Sequence, residues 1–140
     1  TGASSKVGWA VARLLRGRGW DVLCHSGDPG RRRIFEEHGF RATGSLHDGA
    51  AFSAFWIVGK CDPAVDAALP QDGTAVCFCV PPPLAARDDA RVVEAGVLYV
   101  DPDRFVPRRA FTNKLEAHEM YACHAAGLVA AHRAKRRELR

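Results

Sequence analysis

The chain has 140 residues, 47% hydrophobic and 26% charged, with a formal net charge of +4. That length suits one domain around one core and excludes a second independent enzyme module, while the apolar content excludes wholesale disorder. No run approaches the roughly 18 uncharged apolar residues of a membrane-spanning helix.

The sequence opens on Thr1-Gly2-Ala3-Ser4-Ser5-Lys6-Val7-Gly8, a glycine-bearing turn leading straight into a helical pattern. Val7, Ala10, Val11, Leu14 and Leu15 recur at the spacing of one helix face. Arg16-Gly17-Arg18-Gly19 then supplies the cations and glycine that favour a helix end. Trp20 to Cys24 is an apolar run of strand length, and Ser26 to Gly30 reads as a turn. Arg31 to His38 predicts a short helix stopped by Gly39, and Phe40 to Thr43 a third strand. Ala54 to Val58 predicts a buried strand. Asp62-Pro63 predicts an N-cap with proline at the first position of a helix through Ala68. Thr74 to Val80 is a further strand, halted by Pro81-Pro82-Pro83. Leu84 to Ala95 reads as a helix with Gly96 behind it, Val97 to Val100 as a last strand, and Asn113 as the cap of a long helix to the chain end. Alternating strands and helices of these lengths predict a parallel sheet with crossover helices, whose first strand would precede Thr1.

Five cysteines, an odd number, argue against a closed disulfide framework and for a reducing compartment. Cys77 and Cys79 alternate onto one strand face, but no second pair at ligand spacing accompanies them, so a zinc site is not expected. Arginine dominates the positive charge, in the triplet Arg31-Arg32-Arg33 and in a basic tail from Arg133 to Arg140. The plainer reading of both is solvated surface; the sharper one is a phosphate contact for the first and an anionic membrane surface for the second. No aromatic-basic interleaving accompanies the charge, which disfavours nucleic acid.

A glycine turn at a helix N-terminus presents backbone N–H groups and the positive end of the helix dipole, which suits a phosphate. The candidate binding residues are Thr1, Gly2, Ser4, Ser5, Lys6 and Gly8. The segment is similar to the TGxxxGxG loop of short-chain dehydrogenases, with Lys6 where the middle glycine would stand. Such a lysine either blocks a pyrophosphate or supplies a compensating charge. The strand ending Leu23-Cys24-His25-Ser26 carries no acidic partner for a ribose diol, Asp28 lies slightly late, and three arginines follow. That balance favours NADP(H) over NAD if a dinucleotide binds, with Arg31 as the candidate contact. A Tyr-x-x-x-Lys pair is missing, since Tyr99 is followed four positions on by Asp103 and Tyr121 by Ala125. Self-contained redox catalysis of that type is therefore not expected.

Three later segments, Phe55-Trp56-Ile57-Val58-Gly59-Lys60, Val80-Pro81-Pro82-Pro83 and Tyr121-Ala122-Cys123-His124-Ala125-Ala126-Gly127-Leu128-Val129, follow in order. With the opening loop they resemble the C-terminal domain of the plant and algal very-long-chain aldehyde decarbonylases, the eceriferum-type proteins of wax and alkane formation. The resemblance runs from Thr1 to about His132. It departs from the family at Ala125-Ala126-Gly127, where Ala-Gly-Gly is usual, and in the tail AKRRELR.

The resemblance implies a doubly wound, Rossmann-like α/β domain over residues 1–132, a basic tail at 133–140, and no first strand in the given chain. It implies a parent protein of the endoplasmic reticulum membrane with this domain on the cytosolic side, a second wax-synthesis subunit as partner, and a long-chain acyl or aldehyde substrate. The di-iron centre of such proteins belongs to an upstream region with histidine clusters. Here the six histidines are scattered, and a centre built from this chain is not expected.

Cys123 and His124 are the remaining catalytic candidates, as a thiolate–imidazole pair for an acyl group. Neighbours on a helix diverge by about 100°, however, and the plainer reading packs Cys123 in an apolar stripe. Gly59 and Lys60 follow a strand, and the carboxyl ends of parallel strands form the binding crevice of open α/β sheets. The opening loop, Lys60 and the proline run would then share one rim. Lys60 taken alone reads equally as a solvated loop residue. The expected function is a ligand-binding or partner-supporting domain. The rivals are an NADP(H)-dependent acyl or aldehyde reductase and an interaction domain whose nucleotide site has decayed.

Overall fold

A computed structural model describes residues 1–79, 84, 87–99, 101, 103, 115 and 119–138. The chain divides into two compact units, Thr1–Glu94 and Ala95–Arg140.

The first unit contains helices α1 (Lys6–Gly17), α2 (Pro29–Glu37), α3 (Leu46–Phe52) and α4 (Ala64–Ala68). Its strands are β1 (Leu23–His25), β2 (Arg41–Thr43), β3 (Phe55–Val58), β4 (Thr74–Cys77) and β5 (Arg91–Glu94). β1 and β2 pair in parallel, and β3, β4 and β5 form a second parallel set in that order. Parallel neighbours need crossover connections, and here α2 links β1 to β2 while α4 links β3 to β4. The expected α/β class with parallel strands is thus present.

Two apolar clusters hold this unit. Cys24 of β1, Phe35 of α2 and Phe40 pack with Ala3 and Ala12, with Trp9 stacked on Phe35 at 5.7 Å between ring centres. Trp56 and Val58 of β3, Ala75 and Cys77 of β4, Val65 and Leu69 around α4, and Leu84 form the other. Both rest on the period-two alternation of short buried strands.

Helix α1 turns a different face inward from the one its largest side chains mark out. Val7 and Leu14 are exposed, Gly8 and Ala12 are buried, and Val11 and Leu15 are half-buried. The helix approaches the rest of the unit through its small residues, which shifts the buried stripe by one position.

The expected helix over 84–95 is corrected at its C-terminal end. Residues 91–94 pair with β4 in the register Thr74↔Arg91 to Cys77↔Glu94. Val92 and Val93 are β-branched and suit that ladder, which outweighs the helical spacing of the upstream alanines. Helix α3 was not legible as an element, and the proline run lies outside the described residues.

In the second unit, β6 (Val97–Tyr99) pairs antiparallel with β7 (Glu119–Tyr121), and α5 (Ala122–Glu138) follows directly. The long helix therefore begins at Ala122, later than an Asn113 cap would place it, because 119–121 are spent on the ladder; Asn113 itself lies outside the described residues. The helix runs on through the basic residues from Arg133 to Glu138. No helix among the described residues is long and apolar enough to cross a membrane.

Candidate functional site

The opening loop owes its shape to glycine. Gly2 has φ of 76°, a left-handed conformation that side chains rarely adopt, and a Cβ there would lie 2.7 Å from the Gly59 carbonyl carbon. A Cβ on Gly8 would collide with the Gly2 carbonyl oxygen, so the first turn of α1 sits directly on the loop. Ser5 caps that helix. Its Oγ accepts from the Gly8 N–H at 3.0 Å and donates to the Gly2 carbonyl at 2.9 Å. Lys6 is the first residue of α1 and is exposed.

Thr1 fastens the loop to β3. Its α-amino group donates to the Ile57 carbonyl at 2.6 Å, and the Gly59 N–H donates back to the Thr1 carbonyl at 3.2 Å. The Phe78 ring lies over Gly59, where any Cβ would strike it. Gly59 is thus confined between the loop and an aromatic ring. Lys60 is the next residue and is exposed.

The arginine triplet disperses. Arg31 Nη1 donates to the Ser4 hydroxyl at 2.9 Å, and its Nε lies 3.6 Å from Asp28. Arg32 donates to the Ser26 carbonyl at 2.9 Å, and Arg33 pairs with Glu37 at 3.1 Å. Only Arg31 therefore reaches the opening loop. Asp28 caps α2 by accepting from the Gly30 N–H at 2.8 Å, so it is a structural residue in addition to its pairing with Arg31.

His25, at the end of β1, was not singled out from sequence, although its place at a strand's carboxyl end was a usable signal. It is half-buried within electrostatic reach of the Thr1 amine, Lys60 and Asp62. Burial, then the Thr1 amine, hold its imidazole below the ordinary 6.5. The carboxyl ends of β1 and β3 are therefore neighbours. Thr1 Oγ1 is buried without a hydrogen-bond partner.

Cys24 and Cys77 are buried and placed as hydrophobes, Cys79 is half-buried and Cys61 is exposed. Burial pushes the Cys24 and Cys77 thiols up, and burial together with the neighbouring Cys61 thiol pushes Cys79 up to about 11. Such thiols carry little thiolate at neutral pH and are poor nucleophiles. Among the described residues no group of three or more His, Cys, Asp or Glu is placed to hold a metal ion. Cys123 and His124 fall in the first turn of α5, and their side chains lie outside the description.

The structure brings together Thr1, Gly2, Ser4, Ser5, Lys6, Gly8, Arg31, Gly59 and Lys60 along the opening loop and the end of β3. Arranged so, the loop offers a helix N-terminus, the Ser4 hydroxyl and one guanidinium to an anion, while the Ser5 hydroxyl is spent on Gly2 and Gly8. Comparison with protein families, with curated proteins and with solved structures found no match for this chain.

Proposed function

We propose that this chain is a Rossmann-like, ligand-binding C-terminal domain of an aldehyde-decarbonylase-like protein of wax and alkane formation. Its site takes the phosphate of a nucleotide or of an acyl-bearing ligand. The observation that carries the ligand reading is the Arg31–Ser4 hydrogen bond, which holds a guanidinium over a glycine loop at the start of a twelve-residue helix. The strand pairs β2-β1 and β3-β4-β5, with Thr1 hydrogen-bonded to the β3 edge, support the Rossmann-like arrangement. The order of the four sequence segments supports the family. In this reading the parent protein belongs to the endoplasmic reticulum membrane, with this domain on its cytosolic side beside a second wax-synthesis subunit. The iron chemistry belongs to the parent's upstream region.

NADP(H) fits the residues better than NAD. Asp28 is engaged in capping α2 and paired with Arg31, whereas Arg31 can meet a 2′-phosphate. Ser4, Lys6 and Arg31 would hold its phosphates, and the cofactor would supply hydride to an acyl or aldehyde group in the reductase alternative.

The test is a calorimetric titration of the chain with NADPH, NADH and a long-chain acyl-CoA, repeated on Arg31→Glu. A lost charge-assisted hydrogen bond is worth about 1.5–3 kcal/mol, so Arg31→Glu should weaken NADPH binding by about tenfold or more. Gly2→Asp is a poor probe, because the Gly59 backbone leaves it no room. Silence with all three ligands would overturn the ligand reading in favour of an interaction domain.

A further inference from the structure

We propose that Cys61 and Cys79 form a redox-active dithiol, a modification site at which a low-molecular-weight disulfide exchanges with the chain and leaves a Cys61–Cys79 bridge. The parallel ladder brings the two residues together. Val58 of β3 stands opposite Cys77 of β4, and the Phe78 N–H donates to the Val58 carbonyl at 2.9 Å. The strands therefore leave the sheet side by side, β3 into Gly59-Lys60-Cys61 and β4 into Phe78-Cys79. The Phe78 ring lies over Gly59, and the Cys61 and Cys79 thiols are in hydrogen-bond contact. Sulfurs that close reach the ~2.05 Å of a disulfide by side-chain rotation and small backbone adjustment.

The two thiols differ in access. Cys61 is exposed and Cys79 half-buried, while Cys77, two residues before Cys79, is buried out of an oxidant's reach. Burial and the Cys61 contact keep Cys79 protonated to about 11, so Cys61 is the thiol that reacts first. Its thiolate attacks one sulfur of the small disulfide, forming a mixed disulfide and expelling one small thiolate. Cys79 then gives up its proton, attacks the Cys61 sulfur and expels the second. The two protons released by the cysteines end on the two expelled thiolates, and the two electrons they lose reduce the small disulfide. An exposed thiol beside a resolving partner is the arrangement of redox-sensing cysteines, whose bridges are transient in a reducing compartment. The bridge closes a loop that contains α4 and β4. Gly59 is already held by Thr1 and confined by Phe78, so oxidation fixes the backbone of Lys60 on both sides.

The exchange uses neither Arg31 nor Ser4, so its test is separate from that of the ligand site. The 140-residue chain is equilibrated in mixtures of oxidised and reduced glutathione, alkylated, and read by intact mass and by peptide mapping with chymotrypsin and an Asp-directed protease. One internal bridge should form, from Cys61 to Cys79, which Cys61→Ser and Cys79→Ser abolish and Cys77→Ala retains. Because Cys61 is exposed, Cys61→Ser should melt where the reduced chain does. Oxidation should raise the melting midpoint by about 5 °C or more, the direction expected of a closed loop. Tryptic cleavage after the exposed Lys60 should slow by about tenfold. No internal bridge at any mixture, a bridge between other cysteines, an adduct on Cys61 that Cys79 does not resolve, or a bridge that leaves midpoint and cleavage unchanged overturns the proposal.

Discussion

At the scale of single residues, His25 couples the candidate site to pH. Burial, the Thr1 amine and Lys60 lower its pKa, outweighing the Gly44 backbone contact and Asp62, which raise it. A folded-state value below 6.5 means that the folded chain binds fewer protons than the unfolded chain in mild acid. The stability this group contributes is therefore complete above pH 6.5 and is lost as pH falls through the folded pKa. Urea midpoints should fall between pH 7.5 and 5.5, and His25→Asn should flatten that part of the curve. A midpoint that rises on acidification, or a slope that His25→Asn leaves untouched, would contradict this role.

At the scale of elements, α1 depends on Ser5 twice, as helix cap and as tie to the Gly2 carbonyl. Ser5→Ala should cost about 1 kcal/mol in urea unfolding. Ser5→Asp keeps the capping oxygen but cannot donate to Gly2, so it should recover only part of that loss. Full recovery would show that the tie contributes nothing.

Most elements with a compact apolar run or a glycine or proline stop were readable in the sequence, whereas β5 and α3 were not. Gly39 marks the stop of α2, although the helix starts at Pro29 behind an Asp28 cap, two residues ahead of the expected Arg31, and the apolar core of β3 stands out between polar neighbours. Residues 91–94 acquire strand form only through the distant β4, which no local pattern announces. Helix α3 did leave a local trace, since Ser45 accepts from the Asp48 N–H at 3.4 Å, a serine–acid spacing typical of helix starts. The weak periodicity around Gly49 hid it. The same division holds for the site. Loop glycines and Arg31 were legible by type and spacing, whereas Phe78 over Gly59 and the half-burial of His25 are products of packing.

At the scale of the whole molecule, length alone suggests one domain, yet the chain forms two compact units. Both apolar clusters are drawn entirely from residues 3–92, inside the first unit. Arg87 adds a polar clamp there, its guanidinium bidentate on Asp89 at 2.7 Å and donating to the Asp66 carbonyl at 2.6 Å, which ties the end of α4 to the segment before β5. A unit with its own cores and clamp should fold without the remainder, since domains of fewer than 100 residues commonly do. Residues 1–94 produced alone should therefore unfold cooperatively in urea. Trp9, Trp20 and Trp56, the chain's three tryptophans, all lie in that span and report on it directly. Fluorescence and far-ultraviolet dichroism should give coincident transitions, with a midpoint close to that of the same signals in the 140-residue chain. A broad, non-coincident transition would mean that residues 95–140 supply packing that the two clusters lack.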